Sequence, residues 1–527
     1  DENNKSVIGF RKSDVVFKGN TWNINDEKDN LHKIVFDRDF KEFDIEKLVM
    51  NNYNEQIELS GVVRDSTYKN INLGFTDVDL LKITPRIDSL NLEGLVNGKV
   101  NILQEDGVYL PTSNLDITNL KANDYDLGSL SANITGNQSL TNYKVDVKLI
   151  NDNVKSFVAN GNIDVGDSSY IDLNLSFDEF LLNPLDPFGE GVITNIRGLA
   201  TGRATVTGNL KNPDINGRLL LDNAGLSIPY LNVDYSFDFD SEVELKEQKF
   251  IFNDVVLTDS EYFSKATLNG FIGHNSFSDW TLGLDLETNR FLVLNTDDDE
   301  EALYYGTAFA RGVASISGPT DQLVIDFDGS TEKGTVFKVP LNDLETYGDN
   351  SYIHFLSPEE KEARRKGEEY VETEIKGLEL NFDLFVTPDA DIEIVIDRNS
   401  GSTIQGSGNG NLLFEINTNG KFNMWGDFVV NKGVYNFAYG GLIQKELVVE
   451  PNGSIRWEGD PMKAQIDLKA IYSTSANPSV LLDNPINRSI DVNVEISLTG
   501  QLEQPEPNFE FTFPNVDSTI KSELEYR

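Results

Sequence analysis

The strongest constraint in this sequence is a period of two. In Ile490–Leu498, IDVNVEISL, residues Ile490, Val492, Val494, Ile496 and Leu498 share one phase, and Asp491, Asn493, Glu495 and Ser497 share the other. Successive side chains of an extended chain point to opposite faces, so this is a strand with one dry and one wet face. The pattern returns in Ile171–Phe177 (dry phase Leu173, Leu175, Phe177), Leu231–Asp240 (Val233, Tyr235, Phe237) and Thr281–Thr288 (Leu282, Leu284, Leu286). It continues in Leu378–Val386 (Leu380, Phe382, Leu384), Asp391–Asp397 (Ile394) and Gly433–Phe437 (Tyr435, Phe437). Ala464–Tyr472 (Ile466, Leu468) and Asn508–Pro514 (Phe509, Phe511, Phe513) complete it. These dry-phase side chains are the candidates for whatever the sheet contacts.

Asn-Gly or Asp-Gly pairs stand at 97–98, 106–107, 160–161, 216–217, 269–270, 328–329, 419–420 and 452–453. Such pairs supply the positive φ of two-residue hairpins. Half-apolar strands between turn signals predict an all-β chain of antiparallel strands. Ser357–Glu372 departs from this, with Ser357 as N-cap, Pro358 at the first helical position and Glu360 closing a capping box. It predicts one short helical insertion. Asp178–Gly191 predicts a further helical turn, kept short by Pro184 and Pro187.

The chain also repeats. Gly98, Gly202, Gly312 and Gly410 each open a similar alternating run, and they recur at a spacing of roughly one hundred residues. The expected units are 1–94, 95–198, 199–308 and 309–405, followed by a C-terminal domain over 406–527. Two architectures fit such a repeat. One is a string of closed β-sandwiches, as in a surface adhesin or stalk. The other is one long antiparallel sheet, curled but open, whose dry phase lines a half-pipe. The absence of clean linkers between units favours the half-pipe. At about 4.8 Å per strand, ~40 strands would reach on the order of 150–200 Å. A long exposed apolar lining calls for a greasy occupant.

Composition narrows the function. The net charge of −43 argues against nucleic acid as a partner and against docking on anionic headgroups through broad basic patches. There is no cysteine, so neither disulfide nor thiolate chemistry is available. His32, His274 and His354 lie far apart, and no metal site, cofactor or enzymatic activity is expected. Gly401–Gly410 lacks the Gly-Lys-Ser/Thr of a phosphate loop and reads as a turn. The acidic run Thr296–Glu301 reads as a solvated loop in preference to a calcium site. No apolar run reaches the roughly 18–20 residues of a membrane-spanning helix. A targeting or anchoring segment is expected upstream of Asp1.

The stretch Gly406–Tyr472, with Gly426–Phe428 leading into NKGVYNF and then SIRWEGDPMKAQIDLKAIY, resembles the C-terminal domain of the TamB family. Leu498–Phe511, LTGQLEQPEPNFEF, extends the likeness, and Gly198–Val233 resembles the AsmA-type repeat of the same family. The resemblance implies a periplasmic β-groove, anchored in the inner membrane by an N-terminal segment and reaching the outer membrane. It implies phospholipid, and nascent outer-membrane proteins, as cargo. It also implies a BamA-like outer-membrane barrel, TamA or a relative, as partner. An open sheet ends in an unpaired strand. The partner-docking candidates are therefore Ile490, Val492, Val494, Ile496, Leu498, Phe509, Phe511 and Phe513.

Overall fold

The computed structural model describes residues 5–526 apart from 26–31, 85–89, 107, 153, 166–168, 190–192, 276–277, 299–303, 341–376, 398–400, 418–420, 440–442, 484 and 503. The chain is almost entirely β, and its 32 strands belong to one hydrogen-bonded sheet. That agrees with the continuous sheet and sets aside closed sandwiches. Chain contacts divide it into two compact units. The first comprises Asp1–Pro229, Asp234–Leu257 and Asn269–Trp280, and the second Tyr230–Val233, Thr258–Leu268 and Thr281–Arg527. The short helical element near residue 184 is a 3-10 helix, Asn183–Gly189. The predicted helix Ser357–Glu372 lies outside the described residues.

In the first unit the strands from Glu42–Asn52 to Asn212–Ile228 form an antiparallel ladder in which each pairs with the next in the chain. The second unit contains a parallel step. Val324–Thr331 and Val336–Pro340 both pair with Tyr305–Pro319, so together they form one interrupted strand. Its other neighbours, Glu379–Val386 and Asp391–Asp397, run parallel to it. A parallel neighbour cannot be reached by a tight hairpin and needs a crossover connection. In sequence, residues 341–378 separate the two strands, and 341–376 of these lie outside the described residues.

The Asn-Gly and Asp-Gly pairs correct the turn assignment. Asn97–Gly98, Asn160–Gly161, Asn216–Gly217, Asn269–Gly270 and Asp328–Gly329 lie inside strands. Gly401–Gly410 likewise enters the strand Ser402–Asn417 instead of turning. Asn419–Gly420 is outside the described residues, and Asn452 keeps the expected positive φ, 72°.

A recurring arrangement explains the first pair. The register slips between Phe75 and Val78, where Asp77 takes φ 48°. The Asp77 N–H released by this bulge donates to Asn97 Oδ1 at 2.9 Å, and Asn97 Nδ2 donates back to Asp77 Oδ1 at 3.1 Å. Asp254 and Asn269 repeat the exchange at 2.8 and 3.2 Å. Glu179, at φ 52°, uses Thr201 Oγ1 at 3.0 Å. The polar residue secures the bulge from the wet face, and the glycine after it faces the dry side. At Gly98, φ is 128° and an added Cβ would stand 2.2 Å from the Asn114 carbonyl oxygen. Bulges and glycines of this kind bend a strand and increase its twist.

Candidate functional site

Register places the dry phases of neighbouring strands side by side. In the first unit one row runs Met50, Ile57, Phe75, Gly98, Leu115, Ala132, Val147, Ala159, Leu175, Ala204, Gly217, Leu245 and Phe250. That is thirteen strands without a polar side chain. From Phe75 to Ala204 large residues alternate with glycine or alanine, so the face is corrugated. Ile57, Phe75, Leu115, Val147 and Leu175 are only half-buried, as are the candidates Leu173, Phe177 and Phe237. One margin is filled by a cluster of Trp22, Val78, Leu80, Val96, Leu120, Leu127 and Leu149. Toward the other margin Ile102 stands exposed. Tyr235, also in this unit, is buried.

In the second unit the row Leu284, Ile316, Ile325, Leu380, Ile416 and Phe422 crosses six strands. Its neighbour runs Leu286, Ala314, Phe327, Phe382, Phe414 and Met424. Here the lining is packed. Leu380, Ile394, Tyr435, Ile466, Leu468, Ile496 and Leu498 belong to one buried cluster with Leu447, Ile455 and Trp457. Leu468 is 2% exposed and Leu380 4%. The expectation of an open gutter is corrected for these residues: they fill a core. One face of a single sheet buries its own side chains this deeply only by curling until the face meets itself. Val233, Leu282 and Val492 are also buried, whereas Leu284, Leu286, Leu384, Phe437 and Val494 remain half-buried.

The C-terminal edge differs again. Ile490–Gln501 pairs with Gln465–Ala476 on one side and, from Asn493 on, with Gln504–Thr512 on the other. From Asn493 on it is therefore an inner strand, and Val494, Ile496 and Leu498 do not offer a free edge; Ile490 and Val492 precede that pairing and are buried in the cluster around Leu524. Gln504–Thr512 is the terminal strand among the described pairings, and Phe509 and Phe511 on it are 53% and 57% exposed. The final helix, Ser518–Tyr526, packs elsewhere. Its Leu524 and Ile520 join Leu482, Ile490, Val492 and Phe513 at the far end of the inner strand. On the wet face Glu495 accepts from Thr512 Oγ1 at 2.8 Å and pairs with Lys469, which together hold its carboxyl below the usual carboxylate range.

Among the described residues no group of three His, Asp or Glu side chains is placed to hold a metal ion. No described helix is long and apolar enough to cross a membrane. What each unit offers is an apolar face carried across successive strands. That defines a nearly all-β protein built on one long sheet with an apolar face.

The family model for the TamB C-terminal domain matches residues 256–525, just over half of the chain, and the chain belongs to the TamB family. No curated protein matches it. The family comprises non-enzymatic components of the periplasmic envelope, which act with an outer-membrane partner in outer-membrane protein assembly or lipid transport.

Proposed function

We propose that this chain binds lipid acyl chains along its apolar face and supports phospholipid transport to, and protein assembly in, the outer membrane. The observation that supports this reading is the thirteen-strand row of the first unit, whose large side chains from Met50 to Leu175 are only half-buried, although Leu245 is buried. Apolar surface of this extent is unfavourable in water, by about 25 cal/mol for each Å² left uncovered. An acyl chain, long and narrow, matches a row that crosses strand after strand.

The reading includes docking of a BamA-like barrel on the terminal strand Gln504–Thr512, where strand addition would use its free backbone groups. A photo-crosslinking residue at Leu115 or Leu175 should capture lipid in cells, and one at Asp116 or Asn174, in the wet phase, should capture little. Equal labelling of both phases would remove the groove from the account. Cysteine pairs along 504–512 and along the barrel's exposed strand edge test the docking separately, by a single register of disulfides.

A further inference from the structure

Where the register is continuous among the described residues, charged side chains occupy the wet phase with three exceptions, Glu55, Lys69 and Lys445. Glu55 is matched by Lys82. The two lysines are paired with no carboxylate among the described ion pairs, in a chain with 87 acidic residues to 44 basic ones.

Each lysine instead meets a tyrosine on its own face. Lys69 Nζ donates to Tyr109 Oη at 3.2 Å and stands 5.6 Å from the ring centroid. Lys445 Nζ donates to Tyr472 Oη at 3.0 Å and stands 4.8 Å from that centroid. Lys69 lies in the row Val63, Lys69, Gln104, Tyr109, next to the apolar row Gly61, Ile71, Ile102, Pro111. Lys445 lies across from Phe437, and Tyr472 begins the row Tyr472, Val494, Phe511. Both lysines sit near the start of their strands, Tyr68–Asp79 and Ile443–Val449, and so at a rim of the apolar face.

Guarding an open edge does not explain Lys69, which is paired on both sides; Lys445 is paired with Phe437 on one side, and its strand meets Gln465–Ala476 only at Val448 and Val449. A lysine can lay its methylene stem on apolar surface and keep its ammonium at the rim. A tyrosine hydroxyl accepts one of the ammonium protons without neutralising the charge, which leaves two donors, and its own O–H is free to donate to an anion. We infer that Lys69–Tyr109 and Lys445–Tyr472 are subsites for a phosphate group. That phosphate is the headgroup of a lipid whose chains lie on the adjoining apolar face. This rests on the acyl-chain reading above and adds the residues that would hold the headgroup phosphate.

The test uses the full chain and three probes. They are a short-chain phosphatidylglycerol below its micellar concentration, the matching uncharged diacylglycerol, and inorganic phosphate. The double variant Lys69→Gln/Lys445→Gln should bind the phospholipid about tenfold more weakly, the loss of a charge-assisted contact, and the diacylglycerol as before. Tyr109→Phe/Tyr472→Phe should show a smaller loss in the same direction, and serves as the second variant if the lysine pair fails to fold. Unchanged phospholipid binding in the folded variants overturns the subsites while leaving the groove intact. Displacement of phospholipid by inorganic phosphate at equal concentration would reduce them to a small-anion site, which also overturns the proposal. If the native chain binds neither amphiphile, the groove reading falls and the subsites with it.

Discussion

Phe509 lies directly across the ladder from Ile496 on the same face of the sheet, yet Ile496 is 5% exposed and Phe509 is 53% exposed. One strand spacing separates a packed core from open solvent. Adjacent positions of equal hydrophobicity should therefore answer mutation in opposite ways. Ile496→Ala should cost about 2–4 kcal/mol, the range for emptying a core site. Phe509→Lys/Phe511→Lys should move stability by less than about 1 kcal/mol. Urea denaturation of the two variants checks this, and the lysine pair should also abolish barrel crosslinking if the edge is the docking strand.

The two units should respond differently to one charge in the dry phase. Leu175 is half-buried in the first unit, and Leu468 is 2% exposed in the second. Water can reach a carboxylate at 175 but not one at 468, where desolvation costs several kcal/mol. Leu175→Asp should leave the chain folded with impaired envelope function, whereas Leu468→Asp should unfold the second unit. Circular dichroism, with a detergent-sensitivity assay in cells, separates the outcomes.

Glycine on the dry face should be irreplaceable where strands approach closely. Gly98→Ala puts a methyl group 2.2 Å from the Asn114 carbonyl oxygen at φ 128°, and should cost roughly 1–3 kcal/mol. Gly74, on the neighbouring strand, has its nearest obstacle, Glu58 Cβ, at 3.8 Å, so Gly74→Ala should be close to neutral. Thermal melts of the pair test the contrast.

Acid should loosen the terminal strand first. The Glu495 carboxyl is held below its ordinary value of 4.5 by Lys469 and by the Thr512 hydroxyl of that strand. A carboxylate with a depressed folded pKa contributes stability that is present above its unfolded value and lost as pH falls through the folded one. The loss should therefore develop below about pH 4.5. Glu495→Gln should flatten this acid limb, read as the protection of 504–512 backbone amides against hydrogen exchange between pH 3 and 6.

Much of the fold was legible because the alternation is a direct consequence of backbone geometry. Leu173, Leu284, Leu380 and Ile496 all fall on the face their parity assigned them. Parity says nothing about curvature, however. Whether a dry face stays open, as around Leu175, or meets itself, as around Leu468, depends on bulges such as Asp77 and on register, neither of which leaves a periodic trace. The Asn-Gly pairs misled for a related reason. At Asn97–Gly98 the freedom of glycine serves a close approach between strands, and the asparagine serves a bulge on the neighbouring strand, where a hairpin would use both for a turn. The lysines at 69 and 445 looked ordinary because their tyrosine partners lie 40 and 27 residues away and meet them only through the ladder.

The parallel step between Val324–Pro340 and Glu379–Asp397 bears on how the molecule is made. Along the ladder from Glu42–Asn52 to Asn212–Ile228 a growing sheet can recruit each strand as it emerges, because its partner is the strand before it. At this step the partner strand lies beyond residues 341–378, and pairing across so long a sequence separation is slow to be rewarded. A chain arriving N-terminus first would present its unfinished edge at Val324–Pro340 until that partner strand emerges.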